Sequence, residues 1–335
     1  MACLKTDSPV RSARSYAVLV SSRDTAAAEH EALRSGAGLL DRSERGKLAL
    51  AGRDAKSFLQ GQVTNDVEAL VPGEGCYAAF LTPKGKMLGD VRILDTGDEL
   101  LLDTERVALQ ELFNMIRRFS IGYDVQLHKR TLESGLLSLI GPHSDALAGA
   151  QKLQGDEHAH AALVVGAVAT RAIRTDVGID LLCASAQLDE VRGELQARGA
   201  IEVSELAAEC LRVERGRPRY GIDLDDSVIP QEAGLNSRAV SFTKGCYVGQ
   251  ETVARLYYRG KPNRHLRGLR LESPGRAGDP IVFEGRVVGQ LGSVAQSPTL
   301  GPIALALVRR EAPPGSTVAL GESEISARVV ELPFG

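Results

Sequence analysis

From Arg264 onward the chain changes character. Short apolar runs, Leu269 to Leu271, Ile281 to Phe283, Val287 to Leu291, Ile303 to Val308, Thr317 to Leu320 and Ile325 to Leu332, are punctuated by glycine, proline and serine. Such spacing predicts a small all-β barrel or sandwich over 262–335, with its boundary near Lys261-Pro262-Asn263.

Upstream, helix and strand periodicities follow one another. Residues 1 to about 20 read as irregular, and Thr25 to about Leu40 suits a helix. A turn at Arg42 to Gly46 leads into a strand, Lys47 to Ala51, and then a helix, Asp54 to Gln60. Gly75 to Thr82, the turn Pro83-Lys84-Gly85 and Met87 to Leu94 form a predicted hairpin, followed by a strand from Glu99 to Asp103. Thr104 to Arg118 carries Val107, Leu109, Leu112, Phe113 and Ile116 at helical spacing. A second pass then gives a strand (Gly135 to Ile140), a helix (Ser144 to Leu153), strand material (Ala162 to Ile173), a strand (Gly178 to Cys183) and a helix (Gln187 to Arg198). The passes share their order without obvious identity, which leaves an internal duplication open. Strands, a crossing helix and more strands indicate an α+β class rather than a doubly wound parallel sheet.

At 335 residues the chain suits two or three modest domains. Its formal net charge of −3 argues against the broad basic field of a nonspecific nucleic-acid binder, and the absence of tryptophan weakens any base-stacking platform. The five cysteines, Cys3, Cys76, Cys183, Cys210 and Cys246, are odd in number and contain no C-x-x-C pair. That pattern argues against a disulfide framework and for a reducing compartment. No apolar run approaches the ~20 residues needed to span a bilayer, so the expectation is a soluble, cytoplasmic protein. None of the six histidines pairs with cysteine or acid at ligand spacing, so no metal site is expected.

One stretch concentrates reactive chemistry: Lys244 to Arg255, KGCYVGQETVAR. Cys246 lies between Gly245 and Tyr247, with Lys244 ahead and, after Gly249, a helix opening near Gln250 and Glu251. The positive end of that helix and the lysine charge would both favour thiolate over thiol. The alternative is an inert thiol serving as a small hydrophobe.

The string KGCYVGQE, preceded by RVERGRPRYGIDLDDSVIPQEAGL, resembles the YgfZ/GcvT-type folate-binding proteins that assist iron–sulfur cluster assembly. The block from Gly38 to Leu94 is similar to the N-terminal half of the same family and of its relative, the aminomethyltransferase of the glycine cleavage system. The resemblance implies a three-lobed aminomethyltransferase-like folate-binding fold. Its first lobe would comprise 1–47 with 130–245, its second 48–129 and its barrel 262–335, with a motif helix and linker at 246–261. The implied cofactor is tetrahydrofolate or a one-carbon-substituted folate, and the implied partners are iron–sulfur client or assembly proteins. Cys246 would be the working thiol, ligating iron or forming a mixed disulfide.

Several other residues take on candidate roles. On a helix from Val203 to Arg215, Leu206, Ala207, Cys210, Leu211 and Val213 cover one face, Arg212, Arg215 and Ala208 lie opposite, and Glu214 falls within the apolar face. A buried carboxylate needs a proton or a partner. Arg217 or Arg219 could pair with it; the resemblance instead implies a pterin contact from this R-x-E-x-G motif. Asp90 shares a strand face with Leu88 and Arg92. The resemblance places a catalytic Asp-Asp pair here, which this chain replaces with Gly89-Asp90, leaving open whether Asp90 is the surviving acid. Asn65 suits an Asx turn, and the resemblance sets it beside the folate. Arg255, Arg259, Lys261, Arg264, Arg267 and Arg270 form a basic stripe that could attract a folate tail, an acidic partner or, less in keeping with the overall charge, tRNA. The leading expectation is a folate-binding helper of iron–sulfur maturation. Its rivals are a folate-dependent aminomethyltransferase and a tRNA-modification-associated RNA-binding module.

Overall fold

The computed structural model describes residues 28–321 and 325–334. The expectation for residues 1 to about 20, and Cys3 with it, lies outside them. Helix α1 (28–35) leads into β1 (Gly38–Asp41) and β2 (Gly46–Ala51), so the segment expected to be helical to Leu40 ends sooner. Gly38 explains this: a Cβ there would stand 2.5 Å from the Leu33 side chain, and β1 needs that close approach. Then come α2 (Ala55–Gln60), β3 (Gly75–Leu81), β4 (Met87–Asp95), β5 (Glu99–Thr104), α3 (Leu109–Phe119) and β6 (Gln126–Lys129). The second pass supplies β7 (Ser134–Ile140), α4 (Ser144–Ala148), β8 (His160–Val165), β9 (Val168–Arg174), β10 (Gly178–Ala184) and α5 (Leu188–Ala197). Left-handed Gly149 stops α4 a turn earlier than its sequence pattern suggested. After β11 (Ile201–Glu202) come α6 (Glu205–Glu214), α7 (Asn236–Ala239) and α8 (Gln250–Arg259).

Two sheets and a barrel result. One sheet has the order β11-β1-β7-β10-β9-β8 and the other β3-β4-β5-β2-β6. Strands β12 (Arg264–Leu271), β13 (Pro280–Phe283), β14 (Arg286–Ser297), β15 (Gly301–Arg309), β16 (Thr317–Leu320) and β17 (Ile325–Val330) close a barrel in the order β12-β15-β14-β13-β16-β17. Each of the six apolar runs after Arg264 falls on one strand, and the β12–β17 pairing decides between barrel and sandwich. This is an α+β fold with a closed C-terminal barrel.

Strand alternation sorts the five-stranded sheet into two unlike faces. Leu48, Leu50, Ala78, Phe80, Val91, Ile93, Leu100 and Leu102 share one face by register and form the core beneath α2 and α3. Gly89 belongs to this apolar face: a Cβ there would stand 3.0 Å from Ala108 Cβ and Leu112 Cδ1. The opposite face carries Lys47, Tyr77, Asp90, Arg92 and Asp103. It looks toward β7 and β10 of the other sheet, where Ser138 and Asp180 are register partners.

Helix α6 joins the three bodies. The Ser204 side chain caps its N-terminus through Ala207 N, and Gly216, at φ +67°, follows its C-terminus against Leu332. Ala207 and Ala208 pack with Leu33 and Val203, while Cys210 and Val213 pack with Leu266, Ala295, Ile303 and Leu305 of the barrel. The expected apolar face is therefore corrected at two positions. Leu206 is 75% exposed and Ala208 is buried, because the helix is covered from two sides rather than one.

Candidate functional site

Between the polar face of the five-stranded sheet, strands β7 and β10, and helix α6 lies a cavity of about 220 Å³. Charged groups at its wall are paired across the sheets. Arg92 donates to Asp180 Oδ2 (2.6 Å) and to Asp103 Oδ2 (2.5 Å), Arg45 Nε donates to Asp103 Oδ1 (2.7 Å), and Ser138 Oγ to Asp180 Oδ1 (2.6 Å). Burial works against the charge of Asp103, but Arg45 and Arg92 outweigh it and hold its carboxyl below the usual range.

Asp90 is buried in this wall and accepts a hydrogen bond from Tyr77 Oη at 2.6 Å. Thr104 Oγ1 bonds to the Asp90 carbonyl and fixes the strand at that point. Burial pushes the Asp90 carboxyl up to about 6; the Tyr77 hydrogen bond and Arg45 moderate the rise, and Glu105 adds to it. The same burial, with the Asp90 charge, raises the Tyr77 phenol well above its ordinary range, so it remains a donor. Three buried nitrogens of the lining, Arg42 Nε, Arg92 Nε and His158 Nδ1, have no hydrogen-bond partner among the described residues. His158 also holds φ +78°, a conformation that costs a non-glycine residue about 1–3 kcal/mol. Burial lowers its imidazole to about 3, with Arg92 and Arg238 reinforcing the shift, so the ring is neutral.

The residues singled out from sequence do not all gather here. Glu214 was expected to pair with Arg217 or Arg219 or, as the resemblance implies, to contact a pterin, and the structure corrects the arginine pairing. Its carboxylate accepts from Ser297 Oγ (2.5 Å) and pairs with His30 Nε2 (3.2 Å), on the barrel side of α6. Arg217 binds Asp176 instead, and Arg219 binds Glu205 and Glu209. Glu214 lines an adjoining groove of about 970 Å³ that shares Thr175, Asp176, Val177, Leu211, Arg215 and Arg217 with the cavity.

Cys246 is exposed and lines neither space. Its neighbours anchor the loop around it. Tyr247 is buried in the core of the five-stranded sheet, Val248 N donates to Gly61 O, and Gly249 adopts φ +84° where a Cβ would meet Thr82 O at 2.6 Å. Lys244 turns inward, donating to the carbonyls of Gln60 (2.6 Å), Val63 (2.8 Å) and Asn65 (2.9 Å). Lys244 is thus not a solvent-facing charge beside the thiol: its ammonium is held by backbone carbonyls, and it moderates the burial-driven rise of the Cys76 thiol. Gln250 and Glu251 open α8, with no Cβ obstruction around Gly245.

Asn65 is likewise committed. Its Nδ2 donates to the Tyr77 and Arg238 carbonyls and its Oδ1 accepts from Asp66 N, so it braces the loop behind Tyr77 rather than lining the cavity. Arg255 is exposed on α8, away from the cavity. The basic stripe is broken up too, since Arg264 pairs with Glu232 and Arg267 with Glu331. No histidine pairs with cysteine or acid at ligand spacing in the sequence, yet the fold brings donor atoms of His30, Cys210 and Glu214 within 4.8 Å of one another. Their sequence separation hid this, because α1 and α6 meet only in the folded chain.

Residues 9–244 match the GCVT N-terminal domain, and residues 264–334 match the glycine cleavage T-protein C-terminal barrel domain. The chain belongs to the glycine cleavage T-protein family. Its relatives include the aminomethyltransferase of Rubrobacter xylanophilus, 33% identical over 92% of this chain and 85% of the relative. The Bacillus subtilis aminomethyltransferase is 30% identical over 91% of this chain and 90% of its own length. Among solved structures, the glycine cleavage system aminomethyltransferase T of Bartonella henselae shares the fold, with a TM-score of 0.82 at 24% identity, covering 92% of this chain and 89% of that one. Within this T-protein fold, sequence reasoning found Asp90 but missed Tyr77, His158 and Asp180. A usable signal existed for Tyr77: hairpin register sets it opposite Arg92 and diagonal to Asp90.

Proposed function

We propose that this T-protein relative binds a reduced folate, tetrahydrofolate or a one-carbon-substituted form, and transfers an aminomethyl or related one-carbon unit. The observation that carries this reading is the buried Tyr77–Asp90 pair in a cavity whose lining leaves Arg42 Nε, Arg92 Nε and His158 Nδ1 unpartnered. A ring bearing both donors and acceptors would satisfy such atoms. The adjoining groove, with Arg34, Arg174, Arg215 and Arg217 in its lining, suits the acidic tail of the same ligand. When bound, the folate supplies the nitrogen that carries or receives the one-carbon unit. Asp90, raised to about 6, can give or take a proton near neutrality, and Tyr77 Oη orients its carboxyl. The exchange of an Asp-Asp pair for Gly89-Asp90 does not remove the acid from this cavity, because position 89 faces α3 and position 90 faces the other sheet.

Calorimetric titration with tetrahydrofolate and turnover of an aminomethyl donor test the reading. Asp90→Asn should hold folate within a few-fold of wild type while turnover falls at least about 100-fold. Failure of the wild-type chain to bind tetrahydrofolate would overturn it.

A second reading, assistance to iron–sulfur maturation in the manner of the YgfZ branch, is favoured by one observation. Lys244, Tyr247 and Gly249 pin the KGCYVGQE loop while Cys246 is presented to solvent. Cys246→Ser should then keep fold and folate affinity yet fail to complement a cluster-assembly defect. Full complementation would count against it.

A further inference from the structure

Helix α3 ends in an apolar tip that neither reading uses. Phe119 is 52%, Ile121 82% and Tyr123 51% exposed, three large apolar side chains within a short stretch. Single exposed apolar residues are ordinary, but a cluster of them at the surface marks a site of contact. The tip is held rigid at its base. Ser120 N closes the helix on Ile116 O (2.9 Å), and Tyr123 N donates to Ser120 O (3.0 Å). Asp124 N donates to Asp54 Oδ2 (2.9 Å) while Asp54 N donates to Asp124 O (3.1 Å). The Tyr123 ring packs against buried Phe58, with centroids 5.3 Å apart. At the apex Gly122, with φ +94°, has open space where a Cβ would stand. The fold therefore holds Phe119 and Ile121 in water instead of turning them back onto the core.

Charge selects the partner. Arg117 and Arg118, in the last turn of α3, are exposed and make no ion pair among the described residues. Arg53, whose side chain is 81% exposed, borders the tip, 3.6 Å from Asp54 and 4.0 Å from Asp124. Three cations against these two acids leave the tip positive. The helix dipole accounts for the sign of Arg117 and Arg118 but not for the apolar residues beyond them. We propose that this tip docks on an anionic lipid bilayer, with Phe119, Ile121 and Tyr123 entering the headgroup–acyl boundary and Arg117 and Arg118 facing the headgroup phosphates. A bilayer accepts unlike side chains on a convex apex without matching their shape, and aromatic rings favour its interface. A second copy of the chain would instead set Arg117 and Arg118 against like charges. Helix α8 also exposes rings and cations, but its rings cover one another: Tyr257 stacks on Phe242 at 3.8 Å and meets Tyr258 edge-on at 5.0 Å. No helix among the described residues is long and apolar enough to cross a membrane, and a wedge this small gives peripheral, reversible attachment.

The chain has no tryptophan, so Ile121→Trp places a single reporter at the apex of the full-length protein. The probes are vesicles of phosphatidylcholine alone and of phosphatidylcholine with phosphatidylglycerol at roughly 3:1. With the anionic vesicles at low salt, the emission should move to the blue and be quenched by brominated acyl chains. Tyr258→Trp and Leu206→Trp, reporters on other exposed surfaces, should show neither effect. Cosedimentation of the wild-type chain should be at least about 10-fold stronger with the anionic vesicles than with phosphatidylcholine alone. Ile121→Asp, and Arg117→Gln combined with Arg118→Gln, should each weaken it about 10-fold with melting curves unchanged, since all three side chains are exposed. Absence of wild-type cosedimentation with the anionic vesicles would overturn the proposal. So would quenching of Tyr258→Trp in place of Ile121→Trp, sedimentation that needs no vesicles, or vesicle binding unchanged in Ile121→Asp.

Discussion

Arg92 on β4 and Asp180 on β10 meet at 2.6 Å across the gap between the two sheets, and Arg92 also holds Asp103 on its own sheet. Burial disfavours the guanidinium charge, yet the two carboxylates more than compensate and keep Arg92 ionised. The cavity wall is therefore a closed charge network rather than a set of independent side chains. Asp180→Asn should remove one anion from it and lower stability by about 3 kcal/mol, the low end for breaking a buried pair because Asp103 remains. Urea denaturation with an unchanged slope is the measurement; a loss below about 1 kcal/mol would show that the network does not couple the sheets.

Asp90 should make stability depend on pH with a definite sign. Its folded-state value, about 6, lies above the ordinary 3.8. Between those values the folded chain binds the extra proton, so this contribution is full below the lower value and is lost as pH rises through about 6. The difference corresponds to about 2–3 kcal/mol. Asp90→Asn should thus be more stable than wild type at pH 8 and similar near pH 4, while losing turnover. Parallel unfolding curves at the two pH values check this.

Gly89→Asp should not restore an Asp-Asp pair. The new side chain would enter the apolar face against Ala108 and Leu112, where an unpaired carboxylate is costly, and stability should fall by several kcal/mol. Introduced into Asp90→Asn, it should recover no turnover. Recovery would mean that position 89 reaches the cavity.

Lys244 and Cys246 should separate cleanly. Lys244→Met deprives three carbonyls of their donor and should cost about 2–4 kcal/mol, with faster amide exchange over 60–66. Exposed Cys246→Ser should stay within about 0.5 kcal/mol of wild type.

The sequence by itself determined the order of elements, the six barrel strands, the β3–β4 hairpin and the facing of Asp90, because these depend on periodicities of two and 3.6 residues and on local turn chemistry. The KGCYVGQE string likewise marked a special loop before any coordinates. Only the tertiary structure decided what Glu214 and Lys244 touch. Helical spacing correctly made Glu214 a carboxylate in need of a partner, but His30 lies 184 residues earlier and Ser297 83 residues later. Lys244 stood beside Cys246 in the chain, yet its ammonium went to carbonyls 179–184 residues away. A buried polar group is stable only where its hydrogen bonds are completed. Those completing partners come from whichever elements packing brings together, which is a property of the folded chain and not of neighbouring positions in it.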